Sequence, residues 1–167
     1  MGTWLLFFDI DGVLWDHLDV SSTEPPFKRI SEDTIVDSEG ERLTLKKGAV
    51  SFIKWARSVG AIVSSCSWND PHHAIAALKA FGLEKLFDFQ GIRSDPYKHL
   101  IILSVLDRLE SVGVPVQRDR IFYMDDRNIH LKDIKESIPE ITFLHMWKDV
   151  RSFDSAKMII QNKLNGT

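Results

Sequence analysis

Two aspartates one residue apart, Asp9 and Asp11, interrupt the stretch LLFFDIDGVLW at 5–15, directly after four apolar residues and directly before Gly12. Carboxylates this close repel each other and lose hydration, so they call for a cation or a shared proton. A hard divalent ion such as Mg2+ is the simplest partner, because it takes oxygen ligands and keeps part of its water shell for a substrate phosphate. Asp125 and Asp126 pose the same problem after the apolar run IFYM at 121–124. With a hydroxyl at Ser65 and an amine at Lys98, the chain holds what a transferring phosphoryl group needs: charge neutralisation, orientation and in-line attack.

The roles divide by position. Asp9, at a strand terminus, is the candidate nucleophile, giving an aspartyl-phosphate that water resolves. Asp11, on the turn beyond, is the candidate acid for the leaving oxygen and then the base for the water. The candidate metal ligands are Asp9, Asp11, Asp125 and Asp126, with Asp11 able to act through its carbonyl oxygen. Ser65 is the candidate for orienting phosphoryl oxygens, although it could simply cap the next helix and Ser64 and Ser67 lie close by. Gly12, Cys66 and Lys98 complete the expected substrate contacts. A catalytic thiolate at Cys66 would want a phosphate-cradling loop with a basic residue just downstream, whereas Ser67, Trp68, Asn69 and Asp70 follow it. Neither His17 nor the pair His72 and His73 makes a zinc-ligand spacing with Cys66. Trp15 and Trp68 flank the expected pocket, as ring contacts for a substrate or as local packing. Asp133 reads as an exposed helix position.

Positioning these groups requires a particular framework. The run LLFF lacks polar alternation, as a strand buried on both faces does in a parallel sheet covered by helices. Asp9 and Asp11 then lie at its carboxyl end, where open α/β sheets place their chemistry. Further strands are expected at 61–63, 86–92, 121–124 and 141–144, alternating with helices in the parallel manner. The helices run from Gly48 to Gly60, from an Asn69 or Asp70 cap to Gly82, from Ser94-Asp95-Pro96 to about Val112, over 128–137 and over 152–164. In the third of these, Leu100, Leu103, Leu106 and Leu109 are expected to face inward. Residues at about 17–46 are polar and proline-rich, with short strands around the turn DSEG, and read as a β-hairpin flap.

At 167 residues the chain fits one domain, 1–167, able to bury roughly 70% of its unfolded surface. A net charge of −3 argues against a nucleic-acid or anionic-membrane binder. One cysteine excludes an intrachain disulfide and fits a reducing, cytoplasmic compartment. No apolar stretch approaches a membrane span, and the first apolar run lacks the basic flank and cleavage signal of a signal peptide.

At these residues the sequence resembles the haloacid dehalogenase superfamily of aspartate-nucleophile phosphohydrolases. DIDGVLW at 9–15 looks like its first motif, Ser65 its second, Lys98 its third and YMDD at 123–126 its fourth. More narrowly, PPF at 25–27, TIVDSEGERLTL at 34–45, FGL at 81–83 and FYMDDRNI at 122–129 are similar to the branch of magnesium-dependent phosphatase one, over about 5–145. The resemblance implies a three-layer α/β/α Rossmann-like fold with a mainly parallel sheet, a hairpin flap and no large cap domain. It implies Mg2+ as cofactor and Asp126 as a direct ligand. It also implies a phosphorylated small molecule or phosphoprotein as substrate, through protein-tyrosine phosphatase-like or sugar phosphatase activity, in a monomer or homodimer. Departures from that pattern are Gly12 where an aromatic can occur, Cys66 where a basic residue can follow the second-motif serine, and His130 where an asparagine can occur. A phosphotransferase or phosphomutase would use the same intermediate. A non-catalytic phosphopeptide-binding module would not need an attacking carboxylate, so the Asp9 and Asp11 pair argues against it.

Overall fold

The structure, a computed structural model, describes residues 2–166. Along the chain run β1 (Trp4–Phe8), β2 (Lys28–Arg29), β3 (Thr34–Val36), β4 (Arg42–Thr44), α1 (Ala49–Ser58), β5 (Ala61–Ser65), β6 (Ser67–Trp68) and α2 (Pro71–Phe81). They are followed by β7 (Ile92–Arg93), α3 (Lys98–Ser111), β8 (Ile121–Asp125), α4 (Leu131–Ser137), β9 (Thr142–His145) and α5 (Phe153–Leu164). The central sheet is parallel, in the order β5-β1-β8-β9, and β1 is buried along its whole length.

Strand periodicity decides what each face meets, because successive side chains point to opposite sides. Trp4, Leu6 and Phe8 of β1, with Phe122 and Met124 of β8, pack against α1, α2 and α5 through residues such as Phe52, Leu78 and Phe153. Leu5 and Phe7, with Ile121 and Tyr123, pack against α3 and α4 through Ile102, Leu109 and Ile134. The result is the expected three layers. Asp9 and Asp125 continue the odd-numbered side of their strands, which is the side that α3 covers.

Two expectations are corrected. The segment 86–92 is not a full strand of the central sheet. Phe89 makes a single bridge to Ser64, with the Asp88 N–H donating to the Val63 carbonyl at 2.7 Å and the Ser65 N–H to the Phe89 carbonyl at 3.1 Å, while the Asp88 carboxylate takes the Val63 N–H at 2.9 Å in place of a backbone carbonyl. Only β7 pairs as a strand, with β6. In α3 the buried positions are Lys98, Ile101, Ile102, Val105, Leu106 and Leu109, and Leu100 lies at the surface. Its phase follows from Lys98 pointing inward, which turns 101, 102, 105 and 109 toward the sheet at helical spacing.

The flap is antiparallel, β2-β3-β4. Its turn is closed by Asp37, whose carboxylate accepts N–H bonds from Glu24, Glu39 and Glu41 at 2.7–2.9 Å. Asp70 caps α2 by accepting from the His72 and His73 N–H groups, and Ser152 caps α5. No described helix is long and apolar enough to cross a membrane.

Candidate active site

β1 and β8 are neighbours in register, so their two acidic ends meet at one edge of the sheet. Asp9, Asp125 and Asp126 each offer an oxygen, and these oxygens lie within 4.8 Å of one another. The Lys98 ammonium, 2% exposed at the start of α3, donates to Asp9 Oδ1 at 3.0 Å and to Asp125 Oδ2 at 2.7 Å. The Tyr123 hydroxyl donates to the same Asp125 oxygen, and the Arg127 N–H donates to Asp125 Oδ1 at 3.0 Å.

This distribution separates the carboxylates electrostatically. Burial alone would raise Asp125, but Lys98, Tyr123 and the Arg127 N–H outweigh it and hold its carboxyl at about 2. Burial pushes Asp9 well above the usual carboxylate range, and Lys98 opposes this incompletely because Asp125 competes for it. Burial also raises Asp126, against a contribution from Asp9. Lys98 is itself raised, because the two carboxylates overcome its desolvation. One ammonium is thus shared between Asp9 and Asp125, and Asp9 and Asp126, both raised, hold a proton more readily than isolated carboxylates and would gain from a cation in its place. Hard oxygen donors in excess of the local cation fit Mg2+.

Asp11 does not join this group with its side chain. Its carboxylate turns toward the Trp15 Nε1–H at 2.7 Å, the Asn69 Nδ2–H at 2.9 Å and the Val20 N–H at 3.2 and 3.3 Å. The turn through Ile10 and Gly12 redirects it, which leaves the carbonyl oxygen, the alternative the sequence offered, as the atom Asp11 has for an ion. Burial raises the Asp11 carboxyl, and these three donors oppose the shift.

Ser65 is not brought to the cluster. It ends β5 fully buried, donating to Gln90 Oε1 at 3.0 Å and accepting from the Gly91 N–H at 2.8 Å. The hydroxyl nearer Asp11 belongs to Ser67, which accepts from Asn69 Nδ2–H at 2.6 Å. Cys66 is also corrected. It is wholly buried among Leu5, Phe7 and Ile102, and burial pushes its thiol up, so it presents neither a thiolate nor a surface to substrate. Gly12 touches the acidic group: its φ is +75°, and a Cβ there would overlap the Asp126 carboxylate. His145 Nε2 lies 3.1 Å from the Asp126 carbonyl, which only accepts, so that nitrogen carries the proton.

Asp9, Asp11, Lys98, Asp126, Trp68, Asn69, Leu18 and Arg127 line a cavity of about 170 Å3. It adjoins a mouth of about 490 Å3 formed by Leu18, Asp19, Ser21, Trp68, Asp70, Ser94 and Arg127 with Asp11 and Asn69. Trp68, 42% exposed, stands edge-on to the buried His130 ring. Trp15 lies in the core against Phe81 and reaches the site only through its N–H. Asp133 is exposed as expected, and His72 and His73 lie on the first turn of α2.

Sequence reasoning missed Tyr123 and the bonding role of Asn69. A phenol two residues before Asp125 in a buried strand shares its face and must find a polar partner, which is a legible signal. Asn69 gave none beyond that of a helix cap.

The profile of the family described as Acid Phosphatase matches residues 3–146. Among solved structures, the chain is similar to the N-terminal part of BF1531 from Bacteroides fragilis, which contains a phosphatase domain and is complexed with Mg. The two are 17% identical with a TM-score of 0.64, over 98% of this chain but 40% of that one. It is similar to the HAD domain of the effector protein Lem4 from Legionella pneumophila, at 11% identity and a TM-score of 0.62 over 96% and 95% of the two chains. An uncharacterized protein from Listeria monocytogenes serotype 4b matches at 12% identity and a TM-score of 0.58, over 95% and 99%. These likenesses bear on the fold. Because the profile spans both acidic segments and Lys98 over residues 3–146, the chain belongs to the acid phosphatase family.

Proposed function

We propose that the protein is a Mg2+-dependent phosphomonoester hydrolase working through an aspartyl-phosphate on Asp9. The observation that carries this reading is the separation of two carboxylates in one cavity: Asp9 is paired with Lys98 and Asp126, while Asp11 is held apart by its own donors. Asp9 and Asp126 are the residues to hold the ion, which when bound supplies positive charge against the carboxylates and the phosphoryl oxygens. Asp125 keeps Lys98 oriented and charged.

The chain's own part is proton and nucleophile management. The Asp9 oxygen not bonded to Lys98 attacks phosphorus as the ester P–O bond breaks, and Asp11 gives its proton to the departing oxygen. Asp11, now ionised, takes a proton from the water that attacks the phospho-aspartate, which returns Asp9 and releases phosphate. Burial favours the protonated Asp11 that the first step requires. Ser67, rather than Ser65, is the hydroxyl placed beside this region.

The mouth, with Trp68 and Leu18 exposed at its rim, suits a phosphorylated small molecule or a phosphorylated side chain of a protein. A cytoplasmic setting fits the single buried thiol. Phosphate release with Mg2+ across phosphotyrosine peptides, phosphoserine peptides and sugar phosphates tests the reading. We expect Asp9→Asn to lower release by about 1,000-fold or more, the scale of losing a nucleophile, with an unchanged far-UV spectrum. Undiminished release from that variant sinks the assignment.

A further inference from the structure

We propose that Asn69, itself fixed by Ser21, is a positioning residue that aims the Asp11 carboxyl at the leaving oxygen. The inference rests on the phosphatase reading above and deepens it. Asn69 is 4% exposed and every polar atom of its side chain is used. Its Nδ2 donates to Asp11 Oδ2 at 2.9 Å and to Ser67 Oγ at 2.6 Å, and its Oδ1 accepts from Ser21 Oγ at 2.8 Å. Ser21 Oγ in turn accepts the Asp70 N–H at 2.7 Å, so its own hydrogen is free for the Asn69 oxygen.

That chain of donors settles which way the amide faces. Reversing it would set the Asn69 oxygen against the Asp11 carboxylate and leave Ser21 with no acceptor there. The Asn69 backbone is also held, its N–H donating to the Arg93 carbonyl at 2.8 Å where β6 meets β7. Asp11 is therefore gripped from two segments. Trp15 and the Val20 N–H belong to the loop that carries it, whereas Asn69 comes from the opposite wall of the mouth. Ser21 sits in the 3-10 turn Val20–Ser22 that leads into the flap, so the same bond ties the flap's base to that wall.

A group that only orients an acid matters in proportion to how much proton the leaving oxygen needs. A dinitrophenolate departs almost unaided, while an alkoxide cannot depart without the proton that Asp11 supplies as the P–O bond breaks. The test compares kcat/KM, which reports steps through leaving-group departure, for 2,4-dinitrophenyl, phenyl and alkyl phosphates with Mg2+. Wild-type protein is set against Asn69→Ala and Ser21→Ala.

For Asn69→Ala we expect a loss of about 100-fold on alkyl phosphates, typical of a misdirected catalytic group, and under about 3-fold on the dinitrophenyl ester. Ser21→Ala should show the same ordering with smaller losses. Should Asn69→Ala not fold, Ser21→Ala carries the comparison, since it removes two bonds at the rim, to Asn69 and from the Asp70 N–H, and no core atom. Equal losses across the leaving groups, or none, overturn the positioning role while leaving the phosphatase reading intact. A wild-type protein that cleaves none of the three esters overturns both.

Discussion

At Gly12 the two acidic segments touch, and the contact is possible only because no side chain intervenes. An alanine there meets two obstacles: a positive φ costing about 1–2 kcal/mol, and overlap with Asp126 that would displace one of the expected ligands. We expect Gly12→Ala to lower stability by about 1–2 kcal/mol through the backbone and, through the overlap with Asp126, to weaken Mg2+ binding, as read by denaturant midpoints and by calorimetric titration. The neighbouring carboxylates also set a pH dependence. Asp9 and Asp126 have folded values raised above their unfolded ones, so they favour the fold fully below the ordinary carboxylate range and lose that contribution as pH rises through the raised values. A cation that replaces the proton therefore helps most where the proton has left. The rise in unfolding temperature caused by Mg2+ should grow from acid toward neutral pH, measured by calorimetry at fixed ion concentration; a rise that is largest in acid would count against this arrangement.

The elements succeed or fail as carriers of the site through their phase. Helix α3 turns Lys98 under the sheet edge and exposes Leu100, although the leucine spacing alone favours the opposite choice. Ile102→Ala should cost about 2–5 kcal/mol as a fully buried truncation, whereas Leu100→Ala should fall within about 1 kcal/mol, a usual surface effect; denaturant midpoints separate the two. The same helix shows what the sequence made legible. Apolar runs ending in aspartates located β1 and β8, because a continuous apolar strand has few alternatives, and they brought Asp9, Asp126 and Lys98 to one place. The hydroxyl was harder. Ser65 and Ser67 share the parity of the strand, and only the loop that takes up Ser65 through Gln90 and Gly91 decides between them. Asp88 is a similar case, since nothing in its local pattern announces that its carboxylate takes the Val63 N–H in place of a backbone carbonyl at the edge of β5.

Over the whole molecule, the acidic cluster sits on a framework that does not need it. Two apolar layers, one through Phe8, Phe52 and Phe153 and one through Phe7, Ile102 and Tyr123, enclose the sheet beneath. Chelation with EDTA should therefore abolish turnover while leaving the far-UV spectrum in place, with a loss of only about 2.7 kcal/mol for an ion previously at one hundred times its Kd. One more feature has reach beyond the site. Trp147 holds a left-handed backbone at φ 69° and donates its indole N–H to the Gly12 carbonyl at 2.6 Å, while Phe153 beyond it stacks on Phe8. The acid phosphatase match stops at residue 146. A protein severed there would retain every proposed reactive group yet lose both the clasp on the loop bearing two of them and Phe153 from the layer beneath, so this terminal stretch is a splint for the catalytic loop as well as core, and truncation after residue 146 should lower the unfolding temperature and phosphate release together.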